Sequence, residues 1–369
     1  VSLQRTKYAN QSNQSSQNRM IHTMSTLLDN LDSPLAIGTL QWGTTPVDKS
    51  IINPHGVISE TEAAHIVAEA TKAGVTIWDT AEGYGGGTSE KRLGRLLPPD
   101  TSIVLTKFLP VPWRYSHACF ERAVRESCKR LDVKTIPIYL LHSPVHWRPV
   151  EFWVEAAAIC KKKGLIQAMG LSNCNADQVK RAVTAGKQYG IAIVTNQVHY
   201  SLLCYNSPAL QEMEVACREL NVKILGFSPI GQGLLTDGLT TERYESNRPA
   251  KMLRLQWDDL VPLRACLREL ATKYEKSMAQ IALNWCICHD VVPLVGCRSV
   301  KQAKDSLGCI GWQLELNDLE KLNDLALSKS TLQSPGWRRS IFVTLFGIVM
   351  IVCRTLDWMG YGIVKEAAV

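Results

Sequence analysis

Residues 136–173 of this chain read IPIYLLHSPVHWRPVEFWVEAAAICKKKGLIQAMGLSN. Two short apolar runs, Ile136–Leu141 and Ile166–Gly170, lie on either side of a segment with helical periodicity, Val150–Lys163. Short apolar runs of this kind are typical of strands that are buried on both faces, as in a parallel sheet. The stretch therefore predicts a strand–helix–strand unit of about thirty residues, with polar side chains directly after each strand.

The same alternation extends from Leu35 to about Lys329. The other predicted strands are Leu35–Leu40, Val75–Trp78, Ile103–Thr106, Ala192–Thr195, Lys223–Phe227 and Val291–Val295. The other predicted helices are Glu60–Lys72, His117–Leu131, Ala176–Gly186, Pro208–Leu220, Leu260–Lys273 and Met278–Cys288. An open sheet usually has an edge strand that is polar or alternating. Such a strand is absent from this pattern, which favours a closed (β/α)8 barrel with flanking helices over residues 34–330.

Composition excludes several other classes of protein. The chain has 369 residues, of which 46% are hydrophobic and 20% are charged, as in an ordinary globular protein. Its net charge of +7 is spread without a basic run, which argues against nucleic-acid binding and fits a small anionic ligand. The twelve cysteines are scattered, and the tightest group, Cys286-Ile-Cys288-His289, lacks a second ligand pair. We therefore predict no metal site and a reducing compartment.

The N-terminal segment 1–33 differs from the barrel region. Residues 1–28 contain no Asp or Glu and include the polar tract Asn10–Asn18. Such a composition cannot form a core and predicts a disordered or extended arm. Ser-rich, acid-poor segments are also typical of organelle transit peptides, so the arm is either a transit-peptide remnant or a solvated tail. The first alternative places the protein in an organelle, a chloroplast rather than a mitochondrion, and the second in the cytoplasm.

The C-terminal segment 331–369 is strongly apolar. Its core, Ile341–Cys353, has thirteen residues without a charge. As a helix this run would span about 20 Å, short of the roughly 30 Å of a bilayer core. Extension to Val364 reaches that length but includes Arg354 and Asp357. Residues 338–364 therefore predict a hydrophobic helix that is a membrane anchor, packs on a partner protein or folds over the barrel.

A barrel of this type carries its function at the carboxyl ends of the strands. The residues that follow the predicted strands are Asp79, Lys107, His142, Ser172, Asn173, Gln197, Phe227, Ser228, Gly296 and Arg298. Reduction of a carbonyl by hydride transfer needs a proton donor, and the phenol of Tyr84 can serve if a neighbouring ammonium lowers its pKa. Lys107 supplies that ammonium, Asp79 a carboxylate to hold it, and His142 a group that orients the substrate oxygen.

Each of these residues also has a structural alternative. A buried Asp–Lys pair can be purely structural, and a histidine after a strand is often a core residue. Gly83 and Gly85–Gly87 can be a flexible turn, and Arg298 a solvated surface charge. The pattern GxGxxG does not follow a predicted strand, which argues against a Rossmann fold.

Seven motifs, in order, resemble those of the aldo-keto reductase superfamily, in the style of its plant and algal plastid members. They are Trp78-Asp-Thr-Ala-Glu-Gly-Tyr-Gly85, Leu-Thr-Lys107-Phe-Leu-Pro-Val-Pro-Trp113-Arg, Tyr-Leu-Leu-His142, Gly170-Leu-Ser-Asn173, Thr195-Asn-Gln197-Val, Phe227-Ser-Pro-Ile-Gly-Gln-Gly-Leu-Leu235 and Val295-Gly-Cys-Arg298-Ser299-Val-Lys-Gln302. The resemblance covers about Leu35 to Lys329 and implies an NADPH-dependent enzyme that reduces a small aldehyde or ketone by direct hydride transfer.

The resemblance also implies a role for each matching residue. Tyr84 would be the general acid, tuned by Lys107 and Asp79, and His142 would orient the substrate. Ser172, Asn173 and Gln197 would bind the nicotinamide carboxamide, and Phe227 would stack on its ring. The remaining cofactor ligands would be Ser228, Gly231 and Gly233 at the pyrophosphate, Arg298 and Ser299 at the 2′-phosphate, and Gly296, Gln302 and Asp305 elsewhere along the phosphate loop and adenosine.

Some features depart from the family pattern or leave the function open. His199 stands where an acidic residue or Asn is usual, and Ser306 replaces a common Asn. The loops after the strands would determine the substrate, with Trp113, Trp147 and Tyr205 either lining an aromatic pocket or packing within their loops. The apolar tail also allows a second hypothesis: a cofactor-binding subunit of a membrane complex with a structural or redox-sensing role and little turnover.

Overall fold

The computed structural model describes residue 31 and residues 33–43, 57–98, 102–245 and 255–329. Within these ranges eight parallel strands form one closed barrel, in which each strand pairs with the next and the last pairs with the first. The predicted (β/α)8 barrel is therefore confirmed. The strands are β1 (Ala36–Gly38), β2 (Ile77–Asp79), β3 (Ile103–Phe108), β4 (Ile136–Leu141), β5 (Ile166–Ser172), β6 (Ile193–His199), β7 (Lys223–Phe227) and β8 (Val291–Gly296).

Helices fill the connections and form the outer layer of the barrel. In the described ranges they are α1 (Glu60–Lys72), α2 (Thr88–Leu96), α3 (His117–Leu131), α4 (Val150–Lys162), α5 (Ala176–Tyr189), α6 (Pro208–Glu219), α7 (Thr241–Glu245), α8 (Trp257–Tyr274), α9 (Met278–Cys288), α10 (Val300–Leu307) and α11 (Leu316–Leu325). All predicted helices are confirmed, and α1, α3 and α9 have the predicted bounds. The sequence analysis missed α2, α7, α10 and α11, which have ten residues or fewer and offer only a short stretch of periodicity.

The largest error in a strand boundary concerns β6. We predicted its end at Thr195, where the apolar run stops, but the strand continues to His199. Gln197 pairs in register with Leu225, and His199 with Phe227. Hydropathy alone ends a strand where its side chains become polar, whereas the backbone ladder continues as long as the neighbouring strand does. The extension makes Gln197 and His199 part of the barrel wall.

Inside the barrel, apolar side chains lie below a polar layer. The apolar cluster includes Leu31, Ala36, Ile77, Ile103, Leu105, Ile138, Leu140, Ala168, Val194, Leu225, Val292 and Leu294. Alternate residues of a strand point to the same face, so the next inward positions are Asp79 after Ile77 and Lys107 after Leu105. The carboxyl ends of the strands therefore bring ionisable groups together above an apolar core.

Both terminal predictions fall largely outside the described residues. Residues 1–30 and 330–369 lie there, including the hydrophobic segment 338–364. Leu31 is described, and it is buried inside the barrel. In the part of the chain that the structure describes, no helix is long and apolar enough to span a bilayer. Among the same residues, no three His, Cys, Asp or Glu side chains form a group suited to a metal ion.

Candidate active site

A buried ammonium lies at the centre of the polar layer. Lys107 Nζ donates hydrogen bonds to Asp79 Oδ2 at 2.7 Å, to the Thr80 carbonyl at 2.8 Å and to Tyr84 Oη at 3.3 Å. Lys107 is fully buried, and Asp79 is only 2% exposed. Asp79 is the last residue of β2, and Thr80 and Tyr84 follow it, whereas the lysine is on β3. The neighbouring strand ends therefore bring the predicted Asp, Tyr and Lys together around the ammonium.

A glycine turn presents Tyr84 to the lysine. Residues 84–87 form a 3-10 turn in which Gly85, Gly86 and Gly87 all have positive φ. A Cβ on Gly85 would lie 2.5 Å from the backbone of Gly43, and the left-handed conformation is itself unfavourable for other residues. The glycines therefore form a closely packed support for the phenol, and the alternative of a merely flexible turn is wrong at Gly85.

His142 faces the phenol from the end of β4. Its ring and that of Tyr84 are edge-to-face, with centroids 6.0 Å apart. Burial, assisted by the positive charge of Lys107, lowers the pKa of His142 to about 3. The imidazole is therefore neutral at physiological pH, and a neutral ring can donate one hydrogen bond to a substrate oxygen.

The pKa of Tyr84 differs from the sequence-based expectation. We expected the neighbouring ammonium to lower it, but burial raises the Tyr84 pKa above its ordinary value of 10.0 and outweighs the opposing effect of Lys107. For Lys107, burial acts to lower the pKa, but the charge of Asp79, the charge that Tyr84 carries when ionised and the hydrogen bonds to both outweigh it, and the net shift is upward. At neutral pH the site therefore holds a protonated phenol beside a charged ammonium.

Gln197 and the residues at the end of β5 complete the layer. The Gln197 side-chain amide donates to Asp79 Oδ1 at 2.7 Å, so Asp79 is bonded through both oxygens. Asn173 Nδ2 donates to Ser172 Oγ at 3.0 Å and to the His142 carbonyl at 3.3 Å. The structure thus places the three predicted nicotinamide ligands Ser172, Asn173 and Gln197 on adjacent strand ends. They lie beside Asp79, Tyr84, Lys107 and His142, the predicted catalytic tetrad.

The loop after β7 turns sharply because of left-handed residues. Ser228, Gly231 and Gly233 have φ values of 55°, 58° and 99°. The amides of Gly231 and Gly233 donate within this loop, to the carbonyls of Ser228 and Ile230 at 2.9 and 3.1 Å. A Cβ on Gly233 would meet nothing within 4 Å, so the backbone is open to a close approach there. Phe227 lies beside the buried His199, with ring centroids 5.6 Å apart. The open space at Gly233 and the aromatic ring of Phe227 fit the pyrophosphate and ring contacts that the resemblance implies.

The loop after β8 leads from Gly296 into α10. Ser299 is the N-cap residue, and its Oγ accepts a hydrogen bond from Gln302 N at 3.2 Å, while Gln302 Oε1 accepts one from Arg298 N at 2.8 Å. Asp305 instead accepts a hydrogen bond from Gln280 on α9. The five predicted residues of this region thus lie between the end of β8 and α10, but Ser299, Gln302 and Asp305 also bond within the protein. An arginine followed by an N-cap serine suits an anion.

The sequence of the chain matches the aldo/keto reductase family over residues 34–326. The chain belongs to this family. It is 30% identical over 318 residues to the chloroplastic pyridoxal reductase of Arabidopsis thaliana, covering 82% of this chain and 84% of the relative. It is 27% identical over 314 residues to an aldo-keto reductase of Schizosaccharomyces pombe named for NADP(+), covering 78% of this chain and 90% of that protein.

Solved structures of other aldo-keto reductases share the fold. A Bombyx mori enzyme in complex with NADP has a TM-score of 0.62 at 23% identity, covering 82% of this chain and 92% of that one. A glycerol dehydrogenase from Gluconobacter oxydans has a TM-score of 0.66 at 21% identity, covering 82% of this chain and 93% of that one. Membership of the family makes this chain an oxidoreductase of the type that acts on small carbonyl compounds.

A buried ion pair beside the tetrad was missed by the sequence analysis of this aldo/keto reductase. Glu82, 1% exposed, accepts hydrogen bonds from Leu109 N at 2.8 Å and Arg114 Nη2 at 3.0 Å, and Arg114 also contacts it through Nη1. The guanidinium lies 4.4 Å from the centroid of the Phe108 ring. The pair ties the loop after β3 to the loop that carries Tyr84. Both residues are in the quoted motifs, but only the fold brings them together.

Aromatic side chains lie on the loops after β3 and β4. Trp113 and Trp147 are 39% and 62% exposed, and the Trp147 ring is stacked with that of Tyr115 at 6.5 Å. Tyr205 does not join them, because it packs against Trp285 and His289 at centroid distances of 5.1 and 4.7 Å. For Tyr205 the alternative of loop packing is therefore correct. The exposed aromatic surface comes from the same two loops that follow Lys107 and His142.

Proposed function

We propose that this aldo/keto reductase reduces an aldehyde or ketone to an alcohol with NADPH, and that Tyr84 is the general acid. The observation that carries the proposal is the contact of Tyr84 Oη with Lys107 Nζ at 3.3 Å, inside a layer where Asp79 holds the same ammonium at 2.7 Å. A phenol can release its proton to a developing alkoxide when a fixed positive charge stabilises the phenolate left behind.

Each polar residue of the site has a distinct task in this reaction. NADPH, when bound, supplies the hydride to the carbonyl carbon. The neutral His142 donates a hydrogen bond to the substrate oxygen and positions it for Tyr84. Lys107 remains charged and stabilises the phenolate, while Asp79 and the Thr80 carbonyl fix the ammonium in position. The alkoxide takes the Tyr84 proton, and the phenolate regains one from solvent.

The strand-end loops supply the proposed cofactor contacts. The carboxamide would bind Ser172, Asn173 and Gln197, and the nicotinamide ring would stack on Phe227. The other contacts would be Ser228, Gly231 and Gly233 at the pyrophosphate, Arg298 and Ser299 at the 2′-phosphate, and Gly296, Gln302 and Asp305 along the adenosine. Support comes from the NADP(+) in the name of the yeast relative and the NADP in the Bombyx mori complex.

Pyridoxal is the first substrate to test. The Arabidopsis relative is named for it, and the exposed Trp113, Tyr115 and Trp147 offer flat surfaces that suit an aromatic aldehyde. We also propose a plastid location, since the same relative is chloroplastic and residues 1–28 lack acidic side chains. Import of the full-length precursor into isolated chloroplasts, with protection from added protease, tests the location.

The central experiment measures oxidation of NADPH with pyridoxal, benzaldehyde and acetaldehyde. We expect turnover by the wild type and a loss of at least about a hundredfold in kcat for Tyr84→Phe, with NADPH affinity unchanged. Tyr189→Phe is the matched control, because it removes a hydroxyl from the last residue of α5, at the end of the barrel opposite the site. If wild type and Tyr84→Phe both bind NADPH and are equally inert, the proposal fails and a binding subunit with little turnover takes its place.

A further inference from the structure

A carboxylate of the chain occupies the start of α10, where the adenosine 2′-phosphate is expected. Glu62, on α1, accepts a hydrogen bond from Val300 N at 2.7 Å, across 238 residues of sequence. Its own backbone amide donates to Ser59 Oγ at 3.0 Å, at the capped start of α1. A second pair, Lys304 with Glu69 at 3.1 Å, joins the same two helices. The half-buried Glu62 carboxylate is therefore held in place by the packing of α1 on α10.

The backbone amides around this point already have acceptors from the protein. Gln302 N donates to Ser299 Oγ and Arg298 N donates to Gln302 Oε1, while Val300 N donates to Glu62. The N-terminus of a helix carries a partial positive charge that favours one anion. In this chain the anion is the carboxylate of Glu62 on α1, which accepts from the amide of Val300, two residues beyond Arg298.

The carboxylate of Glu62 would repel a 2′-phosphate on the adenosine ribose but could bind a free 2′-hydroxyl. A phosphate monoester carries a charge of about −1.5 to −2 near neutral pH, so a 2′-phosphate held by Arg298 and Ser299 meets like charge from Glu62. A ribose 2′-hydroxyl can instead donate a hydrogen bond to a carboxylate, which is how many NAD-binding sites recognise it.

We propose that Glu62 sets the nucleotide preference of this loop, weakening the binding of a 2′-phosphate and accepting a hydrogen bond from a free 2′-hydroxyl. This inference rests on the proposed function, in which Arg298 and Ser299 receive the adenosine end of the cofactor. As a consequence, the enzyme would use NADH as well as NADPH, and it would discriminate between them less than a site with Arg298 alone.

Glu62→Gln is the decisive substitution, because glutamine keeps an acceptor for Val300 N and removes only the charge. Glu69→Gln is the matched control on the same helix, since it removes a charge that pairs with Lys304 instead. The probes are 2′,5′-ADP and 5′-ADP, titrated by calorimetry against the full chain. Thermal unfolding of each variant shows whether the helix pair remains intact.

We expect Glu62→Gln to bind 2′,5′-ADP roughly tenfold more tightly than the wild type, to bind 5′-ADP no better, and to unfold at nearly the wild-type temperature. Glu69→Gln should change neither affinity by more than about twofold. Equal affinity of wild type and Glu62→Gln for 2′,5′-ADP overturns the role of Glu62, as does an equal gain for both probes or for both variants.

Failure of the underlying proposal has a different signature. If neither nucleotide binds the wild type or the variants, the adenosine site itself is wrong and the inference is overturned with it. If Arg298→Met leaves the affinity for 2′,5′-ADP unchanged while Glu62→Gln raises it, the role of Arg298 is wrong and that of Glu62 is supported.

Discussion

Replacement of Lys107 by methionine tests the chemistry of the site most directly. Methionine nearly matches the length of lysine but removes the charge that lies 3.3 Å from Tyr84 Oη. Opposite unit charges 3.3 Å apart, at an effective dielectric constant of about 20, attract each other by about 5 kcal/mol. Only part of the phenolate charge exists in the transition state, so we expect kcat to fall between roughly 70-fold and 5000-fold.

The assay must separate this effect from the loss of a partner for Asp79. Without Lys107, the carboxyl group would be buried with no positive charge beside it and would take up a proton. The double variant Asp79→Asn, Lys107→Met contains neither charge, and it should show the same fall in kcat as Lys107→Met alone. NADPH affinity, followed by quenching of protein fluorescence, should stay within about threefold of wild type. A fall in kcat of less than tenfold in both variants would refute the role given to the ammonium.

The remaining predictions concern pH, the glycine turn and the buried ion pair. Because burial raises the pKa of Tyr84 above 10.0, the acid stays protonated through neutrality, and kcat for reduction measured from pH 6 to about pH 9 should show no alkaline decline. Gly85→Ala should lower the unfolding free energy by about 2 kcal/mol more than Gly164→Ala, measured by urea denaturation. Both glycines have positive φ, but only at Gly85 would the new Cβ meet backbone. Arg114→Met leaves Glu82 buried without its guanidinium partner, so the loop after β3 should loosen and KM should rise about tenfold with a smaller change in NADPH affinity; an unchanged KM would contradict this.

The fold could be predicted from the sequence because the strands of a parallel barrel are buried on both faces and therefore form short apolar runs. Lys223–Phe227 and Ile136–Leu141 are apolar runs with clear limits, and the structure has both strands with the predicted bounds. At β6 the prediction stopped four residues early, since the polar Asn196 and Gln197 continue a strand that hydropathy ends. Patterns of hydropathy locate the buried part of an element and miss the part that carries function.

The tetrad residues could also be predicted, but not their electrostatics. The order of residues after the strands placed Asp79, Lys107 and His142 at one end of the barrel, and the structure brings Asp79 and Lys107 to 2.7 Å. The direction of the Tyr84 pKa shift could not be predicted, because it depends on how completely the packed barrel excludes water from the phenol. A neighbouring charge is visible in a motif, whereas the depth of burial is a property of the whole fold.

Contacts between distant segments explain why Glu62 and Glu82 escaped the sequence analysis. Each is a single acidic residue whose partner is determined by helix or loop packing: Val300 N lies 238 residues from Glu62, and Arg114 lies 32 residues from Glu82. A carboxylate is costly to bury unless it is paired, so a buried one marks a place where the fold has fixed its neighbours. In this barrel the buried Glu82 braces the loop beside Tyr84, and the half-buried Glu62 reaches the proposed phosphate loop. Substrate affinity and nucleotide preference should therefore respond to substitutions at Glu82 and Glu62, whose partners are determined by the fold and not by the spacing of a motif.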